Sequence, residues 1–172
     1  VVRAEVDTSF GVSAAAKLPA STLQRHFLLL HLLQPHAALY SLPVQVTWPS
    51  QLIPEPTVRA ALQLLVRRHT VLRTVYKREQ HGIIQVILPA DGFVVPLDVC
   101  SDGSDFAACS AQTLTTPFAL TTVPPLRALL AFTTFQQGTQ LLVVVDHVAA
   151  DYASTLLMQK ELRASCDALQ RG

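Results

Sequence analysis

The run Leu141-Leu142-Val143-Val144-Val145 constrains this chain more than any other stretch. A continuous apolar segment rich in β-branched residues has the pattern of a strand buried on both faces, not of one alternating between core and water. The run ends in Asp146-His147, with Asp151 four residues further on and a helix-like segment after that. An imidazole is thereby placed at the mouth of a dry core, where perturbed acidity and general-base chemistry concentrate.

Composition narrows the classes of function. The 172 residues are 50% hydrophobic and 15% charged, with a net charge of +1, so the chain can bury the core of a single domain. Neither sign of charge is in sufficient excess to neutralise a polyanion, which argues against a nucleic-acid or acidic-membrane partner. Every long apolar run is broken by Arg, His, Gln or Pro before the ~18 residues a membrane span requires, so no membrane is expected. Cys100, Cys109 and Cys166 are odd in number and lack CxxC spacing. Neither a disulfide scaffold nor a zinc site is indicated, and a reducing, cytoplasmic setting is the expectation. His26 and His31 on one expected helix, with His36 just beyond, read as solvated or core histidines and not as metal ligands. No GxGxxG, Walker or HExxH motif is present, so no metal, nucleotide or flavin is expected. A chain beginning at Val1 without a signal pattern reads as a piece of a longer polypeptide.

Along the chain, residues 1–18 read as a linker and 19–172 as the domain. Ser21-Thr22-Leu23-Gln24 has the capping-box form and opens a helix to Leu33, which Gln34-Pro35 stops. Tyr40 to Trp48 alternates as a strand. Pro54-Glu55-Pro56 opens a second helix through Arg68, with Val58, Ala61, Leu62 and Leu65 as its apolar stripe. Leu72 to Arg78 and Ile83 to Leu88 form a hairpin, and Val94 to Val99 a short strand. Phe106 to Leu114 is a helix, and Leu126 to Phe135 pairs with Thr139 to Asp146 through a turn at Gly138. A final helix covers Ser154 to Leu169. The sum is an α+β fold, a mixed α/β sandwich with helices packed on a largely antiparallel sheet.

Several of these stretches are similar to one family. Arg68-His69-Thr70-Val71-Leu72-Arg73-Thr74-Val75-Tyr76 resembles the motif Arg-His-Glu-x-Leu-Arg-Thr-x-Phe of condensation domains of nonribosomal peptide synthetases, in the chloramphenicol-acetyltransferase-like superfamily; it departs at Thr70 and Tyr76. Asp146-His147-Val148-Ala149-Ala150-Asp151-Tyr152 resembles the core motif His-His-x-x-x-Asp-Gly, with Asp146 for the first His and Tyr152 for the Gly. Ser21 to Phe27 is similar to a diverged opening motif, Ser-x-Ala-Gln-x-Arg-Leu. Pro117-Phe118-Ala119-Leu120 and Pro124-Pro125-Leu126-Arg127 resemble the pieces that precede the family's catalytic hairpin.

The resemblance implies the N-terminal lobe of a two-lobed acyltransferase, whose paired lobes form a tunnel entered from both ends by phosphopantetheine arms of peptidyl or acyl carrier proteins. The partners implied are those carrier domains and a second, C-terminal lobe or neighbouring megasynthase domains, with no cofactor bound directly. Without the second lobe the fragment is expected to be inactive and to expose an apolar docking face. By resemblance His147 is the catalytic group, as base or as positioning hydrogen-bond partner of an amine or hydroxyl. Asp151 is expected to be structural, with Arg73, or else Arg68, as its ion-pair partner. Strand alternation sends Asp146 and His147 to opposite faces and gives Asp146 a fold role. Tyr152, in place of a glycine, is expected to crowd the tunnel or to hold φ below zero. Asp146 and Tyr152 also fit a second reading, a non-catalytic condensation-like domain serving as a structural or docking module, and a stand-alone coenzyme A acyltransferase shares the His-x-x-x-Asp pattern.

Overall fold

In a computed structural model, which describes residues 15–34, 38, 40–100, 106–133 and 138–171, the chain runs β1 (Ala16–Pro19), α1 (Thr22–Leu33), β2 (Ser41–Trp48), α2 (Glu55–Arg68), β3 (Thr74–Glu79), β4 (Gly82–Ile87), β5 (Leu97–Cys100), α3 (Phe106–Thr115), β6 (Leu126–Thr133), β7 (Gly138–Asp146) and α4 (Tyr152–Arg171). The strands form a four-stranded sheet in the order β2-β7-β6-β5 and a three-stranded sheet in the order β1-β4-β3. All pairs are antiparallel except β5 with β6. The expected mixed sandwich is therefore the fold observed.

Strand β7 lies between β2 and β6, and its side chains divide by parity. Leu141, Val143 and Val145 join the core formed with α2 and α4, where Val58, Leu62, Met158 and Leu162 are buried. Leu142 and Val144 join a second core on the opposite face, with Leu28 of α1 and Phe118. A strand so placed has no solvated face, which is why its sequence shows no alternation. Edge strand β2 does alternate, with Val44, Val46 and Trp48 buried while Pro43 and Gln45 face out.

The helices begin and end where local chemistry dictates. Ser21 Oγ accepts from the Gln24 amide at 3.2 Å and Gln24 Oε1 accepts from the Ser21 amide at 2.8 Å, completing the capping box. Helix α2 has Pro54 at its N-cap and Glu55 in its first turn, bonded to Arg59 at 2.7 Å.

Four expectations need correction. Residues 16–18, read as linker, pair with β4 as part of β1; all four β1 side chains are exposed, so no apolar pattern marked the strand. The rest of that expected linker, 1–14, lies outside the described residues. The short strand expected at Val94 starts only at Leu97, after Pro96, whose carbonyl accepts from Ala128. The strand expected from Leu72 starts at Thr74, because Thr70–Arg73 form a 3₁₀ turn. Gly138, expected in the turn, is instead the first residue of β7, paired with Thr133 and without a positive φ; positions 134–137 of that expected hairpin and the histidine at 36 lie outside the described residues. Among described glycines, Gly82 carries the positive φ, +124°, in the β3–β4 turn.

Candidate functional site

The end of β7 is held on three sides. The Asp146 amide donates to Pro125 O at 3.0 Å and the His147 amide to Tyr40 O at 2.8 Å, while the Ala149 amide turns back to Asp146 O at 2.9 Å. The chain therefore leaves the strand at Asp146, and pleat alternation stops there. This overturns the expectation of opposite faces: both side chains meet α1. The His147 ring stacks on Phe27, centroids 4.7 Å apart and planes 20° apart, and is partly exposed. Asp146, 1% exposed, accepts from the Val148 amide through Oδ1 at 2.9 Å and brings Oδ2 to 2.9 Å from His31 Nε2. That approach is close enough for an ion pair, yet it is too poorly directed for either atom to complete a hydrogen bond.

Asp151 and Arg73 do not meet. Asp151 is exposed and caps α4: Oδ1 accepts from the Ser154 amide at 2.8 Å and from Ser154 Oγ at 2.6 Å. Those bonds, the side-chain one foremost, hold its carboxyl below the usual aspartate range, with a smaller contribution from the nearby charge of His147. Arg73 is buried and spends its guanidinium on backbone, donating from Nε to Val66 O at 2.9 Å and from Nη1 to Leu88 O. Val66 O is one of the carbonyls a helix end leaves without a partner, so Arg73 ties the end of α2 to the end of β4. The ion pair expected between the two motifs is thus replaced by two local jobs, and a solvated N-cap aspartate needs no cation. Arg68 is largely exposed and reaches Glu161 at 3.5 Å; Glu161 bonds His69 Nε2 at 2.7 Å, joining α2 to α4. Tyr152 opens α4 with 76% of its surface exposed and without a positive φ, so it crowds none of the described residues.

Two further groups register the Asp146 charge. The Tyr76 hydroxyl, which accepts from Gln24 Nε2 at 3.2 Å, is made less acidic first by burial and then by Asp146. The Arg127 guanidinium sits 3.9 Å over Phe118 and donates to the carbonyls of Thr113, Thr116 and Pro117. Burial pulls its pKa down to about 10, against the upward pull of Asp146 and Asp98, so it stays a cation at neutral pH.

Sequence reasoning missed Phe27, Tyr40 and His31 as neighbours of the motif. Phe27 and His31 are four residues apart on one helix and so share a face, a signal legible only once that face is known to meet β7. A groove of about 550 Å³ between α2 and α4, lined by Leu64, Arg68, Glu161 and Ser165 among others, holds none of the residues around His147. Among the described residues no helix is long and apolar enough to cross a membrane.

The family model for the condensation domain matches residues 14–172. The chain is 31% identical over 147 residues, 85% of its length, to a dimodular nonribosomal peptide synthase of Bacillus subtilis (strain 168), of which it spans 6%. It is 31% identical over 169 residues, 93% of its length, to a linear gramicidin synthase polypeptide of Brevibacillus parabrevis, of which it spans 3%. Its fold is similar to that of the starter condensation domain of rhizomide synthetase, with a TM-score of 0.78 and 20% identity over 92% of this chain and 39% of that one. A four-domain nonribosomal peptide synthetase bound to AMP and glycine gives a TM-score of 0.76 at 18% identity, over 89% of this chain and 12% of that one. The chain thus spans a small part of the synthetases it matches and about two fifths of a solved condensation domain.

Proposed function

Because the chain belongs to the condensation-domain family, we propose that it supplies the N-terminal lobe of a peptide-synthetase condensation domain that joins a carrier-bound acyl thioester to an amine or hydroxyl acceptor, with His147 as the working group. One observation carries this reading. A strand buried on both faces delivers a partly exposed imidazole, held in one plane by the Phe27 ring.

In the proposed step the acceptor nitrogen attacks the thioester carbonyl carbon, a C–N bond forms and the C–S bond breaks. The amine must shed a proton as the tetrahedral intermediate forms, and the departing pantetheine thiolate must gain one. An imidazole can take the first proton and return it to the sulfur, or hold the amine by hydrogen bond while solvent carries the proton. Holding two carrier-bound substrates together would make the step effectively unimolecular. The partners this requires are two carrier domains with phosphopantetheine arms and a second lobe closing the tunnel.

The departures from the core motif do not favour a purely structural module. Asp146 is engaged by Val148 and His31, and Tyr152 points to the surface. The test is His147→Ala in the polypeptide that contains this chain, assayed with loaded donor and acceptor carriers. Loss of product with a folded variant is expected; unchanged product formation would remove His147 from the mechanism.

A further inference from the structure

The close approach of His31 to Asp146 needs a proton. Both atoms are buried, they lie 2.9 Å apart, and neither has another hydrogen-bond partner among the described residues. Two bare acceptors at that distance would repel with no solvent to screen them, so one of the two must carry hydrogen. An imidazole nitrogen can carry that hydrogen in the neutral ring as well as in the cation, so the approach places it on His31 Nε2, facing the Asp146 carboxylate.

The His31 ring does more than face Asp146. It packs edge-on against Tyr40 at 5.7 Å, and Tyr40 packs edge-on against Phe27 at 5.6 Å. Phe27 is the ring stacked on His147, and Tyr40 O receives the His147 amide. One contiguous set of rings thus joins the buried charge of β7 to the plane of the imidazole.

Taking His147 as the working group, as proposed above, we propose that His31 is a positioning residue for it: with its Nε2 hydrogen turned to Asp146, it clamps the end of β7 to α1 and through Tyr40 and Phe27 fixes the His147 ring. The carboxylate at 146 is then half of a pair whose imidazole comes from 115 positions earlier in the chain. Asp146 is no sign of a decayed motif.

The unaltered chain gives the first test. ¹⁵N-resolved NMR at neutral pH should find hydrogen on Nε2 of His31 and nuclear Overhauser contacts between Phe27 and His147; a His31 ring with a bare Nε2 overturns the proposal. His31→Gln and Asp146→Asn give the second, in the polypeptide that contains this chain with its loaded carriers. Each should lower kcat by on the order of 10- to 100-fold with KM little changed, as a misplaced catalytic group does. The double variant should be no worse than the poorer single one, because both remove the same pair. A folded His31→Gln variant that keeps both its Phe27 to His147 contacts and its kcat overturns the proposal. Should His147→Ala leave turnover intact, the reading of His147 fails, while the hydrogen on His31 Nε2 and the ring contacts still decide the clamp.

Discussion

Phe27 of α1 and His147 at the end of β7 lie face to face, 4.7 Å between centroids, although 120 residues separate them in sequence. An aromatic pair of this kind contributes about 0.5–1.5 kcal/mol beyond area burial and, more to the point here, selects one orientation of the imidazole. Phe27→Leu keeps an apolar side chain in the core and removes the stack. The expected result is a small loss of stability with a larger fall in kcat than in KM, read from turnover of the intact polypeptide alongside a thermal melt. Equal turnover at equal stability would mean that the stack does not orient the ring.

Arg73 makes a different kind of prediction, one about folding. Its guanidinium satisfies two carbonyls, Val66 O and Leu88 O, from a buried position. Arg73→Met leaves both without a donor, at a cost of about 1–3 kcal/mol for each buried group, so a total loss of about 2–6 kcal/mol is expected in urea denaturation. Arg73→Lys should recover little, since a single ammonium cannot reproduce the planar fork that reaches two acceptors at once. A lysine variant as stable as the parent would show that charge, not geometry, is what this position requires.

Asp151 links stability to pH. A carboxylate whose pKa falls on folding adds stability above its unfolded value and loses that contribution as pH drops through its folded value. Asp151 is such a group, held low mainly by Ser154. The wild-type chain should therefore lose this contribution on acidification through and below the ordinary aspartate range. Asp151→Asn still caps α4 but cannot titrate, so its melting temperature should fall less over the same interval. Asp151→Ala should melt lower at neutral pH with His147 left in place. Parallel pH profiles for wild type and Asp151→Asn would exclude the linkage.

How much of this was legible in the sequence depended on how local the signal was. The capping box at Ser21, the stripe of α2 and the doubly buried run of β7 are set by residues within one turn or one strand, and each formed where the pattern placed it. Strand β1 escaped notice because four exposed residues leave no pattern. The partners of Asp151 and Arg73 were misassigned for a related reason. Pairing two motifs by charge assumed that both groups were buried, whereas Asp151 is solvated at a helix cap and Arg73 is bonded to main chain, which sequence does not display. The His31 to Asp146 contact is legible only in three dimensions, since it depends on how α1 crosses the end of β7.

Cys166 offers a reading of the α4 core that is independent of the site. It is buried in the cluster shared with β7 and α2, and burial, assisted by the charge of Asp167, pushes its thiol up to about 11. Only the thiolate attacks disulfide reagents, and at pH 8 a group with that pKa is ionised in about one molecule in a thousand. Cys109, by contrast, is partly exposed on α3, 3.2 Å from Cys100 Sγ. In a native-state thiol titration at pH 8, Cys109 should react first and Cys166 only on the timescale of unfolding. Adding urea to the transition midpoint should bring the Cys166 rate up to that of an open thiol, with mass spectrometry assigning each adduct. Labelling of Cys166 as fast as Cys109 in the native state would show that α4 leaves the sheet far more readily than its buried face of Met158, Leu162 and Cys166 implies.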